Sequence, residues 1–207
     1  MKLWLFDILA CPIDKHFPLK LLIFSYKTSK EEFIEILDKY INNKIENSDL
    51  EDIIEIKSKN GIPYIKDLIC IKEQPLENYI KCLLNSINEL KNIHDKANLN
   101  ESKQTLSLIT NEVKQTLLDY MESKEKKDIS QLYPQLYLLN KIKCQIEIDS
   151  GLIYCEKCNR WYPIIETIPQ MLPDEYRNET AEIEFLNKYK NLLEPEVTSK
   201  NLKPFHP

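Results

Sequence analysis

The cysteines best placed for chemistry lie near the carboxyl end of the chain, where two residues separate Cys155 from Cys158. Two thiolates at this spacing on a tight turn can both reach one tetrahedral zinc ion at about 2.3 Å. Asn159 follows directly, and asparagine tolerates the left-handed backbone conformation that such a turn needs. The spacing therefore predicts one half of a zinc-knuckle site.

Two other interpretations of this pair stay open. A thioredoxin-like redox pair would place its first cysteine at the start of a helix that follows a strand, but the residues from Trp161 to Ile165 are poor helix formers. In the other interpretation, both cysteines pack in a core without any chemistry. We favour the zinc interpretation over both.

The other half of the site is predicted around Cys11, near the amino terminus. Asp14 lies at the regular knuckle spacing from Cys11, and His16 lies at a Cys-x4-His spacing. Imidazole suits a thiolate-bound zinc better than a hard carboxylate oxygen does. We therefore expect the ligands to be Cys11, His16, Cys155 and Cys158, with Asp14 as the alternative to His16.

The remaining cysteines, Cys70, Cys82 and Cys144, are predicted to be small packing residues without chemistry. Asp7 interrupts the apolar amino-terminal stretch, so we read no signal peptide there and expect reduced thiols and a cytoplasmic protein. No run of about 18 apolar residues is present, which argues against a membrane span.

Charge and glycine content narrow the function classes further. Lysine and arginine number 28 against 33 aspartates and glutamates, for a net charge of −5, which disfavours a broad surface for the phosphate backbone of nucleic acids. The chain has only two glycines, so the glycine-rich loops that bind nucleotide phosphates are missing.

Strand-like patterns occur at both ends of the chain. Residues 19–26 are rich in branched and aromatic side chains, which is typical of a strand. Apolar residues then alternate from Cys144 to Ile148, and we expect Ser150-Gly151 to form the turn of a hairpin. A second hairpin is predicted to carry Cys155 and Cys158 at its tip, with its return strand at 161–165.

The middle of the chain has helical periodicity, and Ser29 with Glu32 predicts a capped helix start. The sequence thus predicts an α+β fold. Residues 1–27 and 143–173 form a small zinc-ribbon-like antiparallel β domain, 28–142 a helical insertion, and 174–207 a charged, exposed helix with a loose tail.

The two ends together resemble the tRNA methyltransferase 112-like family, whose members are the multifunctional subunits of methyltransferases. The matching residues are Leu9-Ala10-Cys11-Pro12 with Phe17-Pro18-Leu19, the run from Ile153 to Ile164, and the run from Ile168 to Pro173. Relatives commonly carry a second cysteine in the first half-site, where this chain offers Asp14 or His16. The resemblance implies a zinc ribbon and a non-catalytic adaptor.

An apolar segment follows the last hairpin and is formed by Ile168, Pro169, Met171 and Leu172. Proline at position 169 is incompatible with a central strand, so the segment should lie at a sheet edge. One interpretation is that these side chains close the small core of the ribbon itself. The resemblance implies instead that they contact a partner methyltransferase.

Two functions follow from these observations. The resemblance implies an activating, stabilising subunit that forms heterodimers with S-adenosylmethionine (SAM)-dependent methyltransferases acting on tRNA, rRNA or a translation release factor. Zinc would then be the chain's own cofactor, and SAM and RNA would be contacted only through the partner. The alternative is a zinc-ribbon nucleic-acid-binding module, but the ribbon segments carry only seven basic against six acidic side chains.

Overall fold

The computed structural model describes residues 1–123, 128–198 and 201–205, and the chain divides into two compact units. The ribbon unit consists of Met1–Thr28, Asn92–Asn98 and Glu147–Pro207, and the insertion unit consists of Ser29–Lys91 and Leu99–Ile146. Helices and antiparallel strands are both abundant, so the predicted α+β class is confirmed. Within the described ranges, every helix is too short or too polar to cross a membrane.

The strands in chain order are β1 (Lys20–Tyr26), β2 (Glu55–Lys59), β3 (Ile62–Lys66), β4 (Gln74–Pro75), β5 (Ile93–Asp95), β6 (Ile148–Tyr154), β7 (Trp161–Ile165) and β8 (Ile168–Pro169). The helices are α1 (Leu3–Phe6), α2 (Lys30–Ile41), α3 (Ser48–Glu51), α4 (Leu76–Glu89), α5 (Asn100–Leu108), α6 (Lys114–Glu122), α7 (Tyr133–Asn140), α8 (Glu179–Tyr189) and α9 (Pro195–Thr198).

The ribbon unit is built on a five-stranded sheet with the order β5-β1-β6-β7-β8. The central strands β1, β6 and β7 are antiparallel, as expected, but β5 joins the edge of β1 in parallel. Ile153, near the end of β6, is paired with Leu21 of β1 on one side and with Tyr162 of β7 on the other. Both chain ends thus meet in one sheet.

The predicted turn at Ser150-Gly151 is wrong, because both residues lie inside β6. Gly151 is paired with Ile23 and Ile164 in the two neighbouring strands. A Cβ atom on Gly151 would lie 2.6 Å from the carbonyl oxygen of Leu22. The glycine is needed here for the close approach of two strands and not for a turn.

The carboxyl-terminal region covers one face of this sheet, which corrects the expectation of an exposed helix with a loose tail. Leu186 of α8 and Leu202 of the tail are buried in a core cluster with the strand residues Leu22, Leu152 and Trp161. The indole N–H of Trp161 also donates a hydrogen bond to the carbonyl oxygen of Phe205 at 3.0 Å. The charged composition of α8 concealed its apolar face.

The insertion unit is mainly helical and also contains a small sheet with the order β2-β3-β4. Helix α2 begins as predicted, since the Ser29 side chain accepts a hydrogen bond from the Glu32 backbone and the Glu32 side chain bonds back to Ser29. Single π-helical turns follow α5 at Ile109–Val113 and α7 at Lys141–Gln145.

Two of the three cysteines that were assigned no chemistry are joined in the insertion unit. Cys70, in the loop after β3, forms a disulfide with Cys82 of α4. The two lie 12 residues apart, so periodicity alone gave no indication that the loop turns back onto the helix. The packing role predicted for these two cysteines is therefore wrong, whereas Cys144 is buried and is not part of a disulfide.

Candidate metal centre

The second predicted knuckle is a tight turn between the end of β6 and the start of β7. The backbone N–H of Cys155 donates a hydrogen bond across the turn to the carbonyl oxygen of Arg160 at 2.8 Å. Asn159 has a φ of 57°, as its residue type predicted. Its side-chain oxygen accepts a hydrogen bond from the Tyr154 hydroxyl at 2.8 Å, which fixes the turn to the sheet.

The first knuckle repeats this construction between α1 and β1. The backbone N–H of Cys11 donates to the carbonyl oxygen of His16 at 3.0 Å, again across five residues. Lys15 has a φ of 57°, at the same offset from Cys11 as Asn159 has from Cys155. In this shared register, the position of Cys158 in the second turn is occupied by Asp14 in the first.

The two turns bring four ligand atoms together. Those of Cys11, Asp14, Cys155 and Cys158 all lie within 4.8 Å of one another. The sulfurs of Cys11 and Cys158 are 3.7 Å apart, and the Cys155 sulfur lies 3.7 Å and 3.8 Å from the two Asp14 oxygens. A tetrahedron with zinc–sulfur bonds of about 2.3 Å has edges of about 3.8 Å, so the donors fit a zinc ion.

His16, which the sequence favoured as the fourth ligand, is not part of this group of donors. His16 instead stabilises the first knuckle through its backbone. Its carbonyl oxygen accepts a hydrogen bond from the Cys11 N–H, and its own N–H donates a hydrogen bond to an Asp14 oxygen at 3.0 Å. The structure therefore brings Asp14 to the thiols and places the imidazole outside the cluster. The regular knuckle spacing of Asp14 is the sequence signal for this arrangement, whereas ligand softness alone points to His16.

The electrostatics of the cluster favour a bound cation. Burial raises the pKa of the Cys155 thiol to about 12, so the thiolate needs a compensating positive charge. Burial acts to raise the pKa of Asp14, but hydrogen bonds from the His16 backbone and two of the thiols, together with the charge of Lys157, outweigh it and the pKa is lowered overall. The carboxylate is thus ready to bind a metal, whereas the thiol must release its proton on binding.

A comparison with protein families gives one match. The sequence model described as Trm112p-like protein matches residues 2–166 of the chain. The chain belongs to the Trm112p-like family. Comparison with curated proteins and with solved structures gives no significant match. The part matched to the family contains both knuckles and all four donors, together with the insertion between them.

Three cysteines and one aspartate offer four ligand atoms, enough to occupy every position around a tetrahedral ion. Catalytic zinc sites, in contrast, keep one position for water or substrate. The Tyr162 hydroxyl lies 3.5 Å from the Cys11 sulfur and forms part of the surroundings that hold this ligand in place. A metal ion bound by these donors would cross-link the amino-terminal knuckle to the carboxyl-terminal knuckle.

The apolar segment after the last hairpin forms the opposite edge of the ribbon sheet from β5. Glu166 and Thr167 both have positive φ and make a two-residue turn, which folds β8 back onto β7. Ile168 is 59% exposed and Leu172 is 41% exposed, while Pro169 and Met171 are partly exposed. The interpretation in which all four side chains close the ribbon core does not match these exposures.

Proposed function

We propose that this chain is a non-catalytic activating subunit of SAM-dependent methyltransferases that act on tRNA, rRNA or a translation release factor. It works as a heterodimer in the cytoplasm, and RNA and SAM are contacted by the partner. The observation that carries this proposal is the exposed apolar edge at β8 in a member of the Trm112p-like family.

The β8 edge has the chemistry of a protein-binding surface. On its inner side β8 pairs with β7, and among the described residues no strand pairs with its outer side. The edge presents exposed apolar side chains beside an unpaired strand, although Pro169 has no N–H to donate, so a partner that adds a strand here would be held mainly by apolar contacts. Ile165, at the end of β7, adds a further side chain that is 40% exposed.

We further propose that Cys11, Asp14, Cys155 and Cys158 hold a structural zinc ion. Zinc bound there supplies a cross-link between chain ends that are 147 residues apart in sequence. The second knuckle lies between β6 and β7, and β7 in turn carries β8. The chain's own residues then hold the partner-binding edge in a fixed position on the sheet.

Substitution at the exposed edge tests the partner-binding role. Complete burial of an isoleucine side chain is worth about 1.5–3 kcal/mol. Since 59% of Ile168 is still exposed in the free chain, its burial by a partner contributes roughly 1–2 kcal/mol. We expect Ile168→Ala to weaken partner binding about tenfold, and we expect Ile168→Asp to abolish it.

The measurement is co-expression of the tagged chain with SAM-dependent methyltransferases of the same genome. With the wild-type chain, we expect at least one methyltransferase to gain solubility and SAM binding and to co-purify. With Ile168→Asp, we expect this methyltransferase no longer to co-purify. Ile34→Asp is the matched control, since Ile34 is 46% exposed on α2 and should keep the partner. If no methyltransferase gains solubility, SAM binding or activity, while the chain alone shifts tRNA in a salt-dependent manner, the nucleic-acid-binding alternative replaces this proposal.

A further inference from the structure

The Cys70–Cys82 disulfide belongs to the insertion unit, whereas the candidate metal centre belongs to the ribbon unit, and the proposed function does not use this disulfide. We propose that this pair is a reversible thiol–disulfide site that exchanges with small thiols of the glutathione class, and that its redox state sets the stability of the insertion unit. The proposal goes beyond the methyltransferase-activating role and concerns a different part of the chain.

Two interactions, a hydrogen bond and a disulfide, connect the loop after β3 to α4. The hydroxyl of Tyr79 donates a hydrogen bond to the Asp67 carboxylate at 2.7 Å, and the Cα atoms of Cys70 and Cys82 are 6.5 Å apart. Each pair is separated by 12 residues in sequence. Tyr79 and Cys82 are three residues apart and therefore lie on the same side of the helix. The Tyr79–Asp67 contact is a hydrogen bond, and the Cys70–Cys82 contact is covalent.

The hydrogen-bond network around Asp67 does not depend on the disulfide. Asp67 is buried and also accepts hydrogen bonds from the backbone N–H groups of Ile69, at 2.9 Å, and Cys70, at 2.6 Å. The side-chain amide of Asn140 donates to the second carboxylate oxygen at 2.8 Å. This network keeps Cys70 opposite Cys82 when the sulfur–sulfur bond is broken. The two thiols are thus preorganised to close again.

The exposure of the two cysteine residues favours one direction of attack. Cys70 is only 3% exposed, whereas Cys82 is partly exposed. A glutathione thiolate attacks the Cys82 sulfur, the protein disulfide breaks, and Cys70 leaves as a thiolate that takes up a proton. A second glutathione thiolate attacks the glutathione sulfur of the mixed disulfide, which releases oxidised glutathione and the Cys82 thiolate, and this thiolate is protonated. The protein gains two electrons and two protons, and the reverse sequence restores the disulfide.

The surroundings of this pair differ from those of the other thiols. Cys11, Cys155 and Cys158 belong to the candidate metal centre, and Cys144 is buried and not disulfide-bonded. Disulfides in a reducing compartment are usually transient or redox-sensing and not permanent. A pair that closes only a short loop and keeps its position when reduced has the properties of such a switch.

The test uses the full-length, zinc-loaded protein equilibrated without oxygen in glutathione mixtures that range from fully reduced to fully oxidised. The mixtures are quenched with acid, free thiols are alkylated, and mass spectrometry gives the oxidised fraction of each cysteine. As the share of oxidised glutathione rises, we expect Cys70 and Cys82 to change together from thiols to the disulfide while reduced glutathione is still in excess. The redox state of Cys144 should not change. A pair that stays oxidised in reduced glutathione alone, or stays reduced in oxidised glutathione, overturns the proposal.

Thermal unfolding provides the second readout. We expect the oxidised wild type to unfold roughly 5–10 °C above the reduced protein, because the disulfide restricts the unfolded chain. Cys144→Ser should keep this difference, and Cys82→Ser should lose it. Asp67→Asn should move half-conversion towards mixtures richer in oxidised glutathione, since it weakens the network that positions Cys70. Equal unfolding temperatures for the oxidised and reduced wild type contradict the proposed effect on stability.

Discussion

Replacement of Asp14 by alanine should reduce the zinc affinity of the chain strongly, and replacement of His16 should leave it unchanged. The reason is geometric. The carboxylate oxygens of Asp14 lie 3.7 Å and 3.8 Å from the Cys155 sulfur, whereas His16 contributes only backbone hydrogen bonds to the first knuckle. His16→Ala keeps that backbone and is therefore the matched control.

The size of the effect follows from the number of ligands. Structural zinc sites bind with about 10–16 kcal/mol, and an equal share for one of four ligands is roughly 2.5–4 kcal/mol. This corresponds to a loss of roughly 10²- to 10³-fold in affinity. A carboxylate is a harder ligand than a thiolate, so we expect Asp14→Ala to lie near the lower limit and Asp14→Cys to bind zinc more tightly than the wild type.

The assay is competition for zinc against a chromophoric chelator at fixed pH, with the metal content of the purified proteins as a second measurement. Cobalt in place of zinc reports the ligand set, since Asp14→Cys should increase the sulfur-to-cobalt charge-transfer absorption. The reasoning is refuted if Asp14→Ala keeps the wild-type dissociation constant and His16→Ala loses it. Equal metal content in the wild type and Cys155→Ser would remove the zinc site altogether.

Three further predictions concern the stability of the ribbon unit. Gly151→Ala should destabilise the fold by about 1–3 kcal/mol in urea unfolding, because the new methyl group would lie 2.6 Å from a backbone oxygen of β1. Glu182→Gln should cost about 3–5 kcal/mol in the same assay, since the guanidinium of Arg177 is fully buried and would lose the charge of its partner. Burial acts to raise the pKa of Glu194, but the hydrogen bonds and the charges of Lys96 and His94 together outweigh it and the pKa is lowered. The stability that Glu194 contributes is therefore present above the usual pKa of glutamate and lost as the pH falls through the lowered value. The difference in stability between wild type and Glu194→Gln should disappear in acid, and a constant difference would contradict the assignment.

Local signals in the sequence were sufficient for several parts of this structure. The cysteine spacing with Asn159 predicted the second knuckle, and the β-branched and aromatic residues at 161–165 predicted β7. Ser29 and Glu32 predicted the start of α2. Each of these features depends on contacts within a few residues, which a sequence pattern records directly.

The parts that were missed depend on contacts between distant segments. Ligand softness ranks His16 above Asp14, but it carries no information about the backbone register that directs Asp14 towards the thiols. The Cys70–Cys82 pair depends on a loop that turns back onto α4, stabilised by buried Asp67. The tail is rich in proline and charge, so the few apolar residues that cover the sheet did not form a periodic pattern.

The parallel strand β5 has a consequence for how this chain can be divided. Residues 92–98 belong to the ribbon unit although they lie between two segments of the insertion unit. A shortened chain that joins residue 28 directly to residue 147 would remove β5 and leave the edge of β1 unpaired, with Leu21 and Ile23 losing their neighbours. An apolar, unpaired edge of this kind promotes aggregation. Residues 29–146 therefore cannot be deleted as a block without damage to the ribbon sheet. A shortened protein would need another strand in place of β5 to cover the edge of β1.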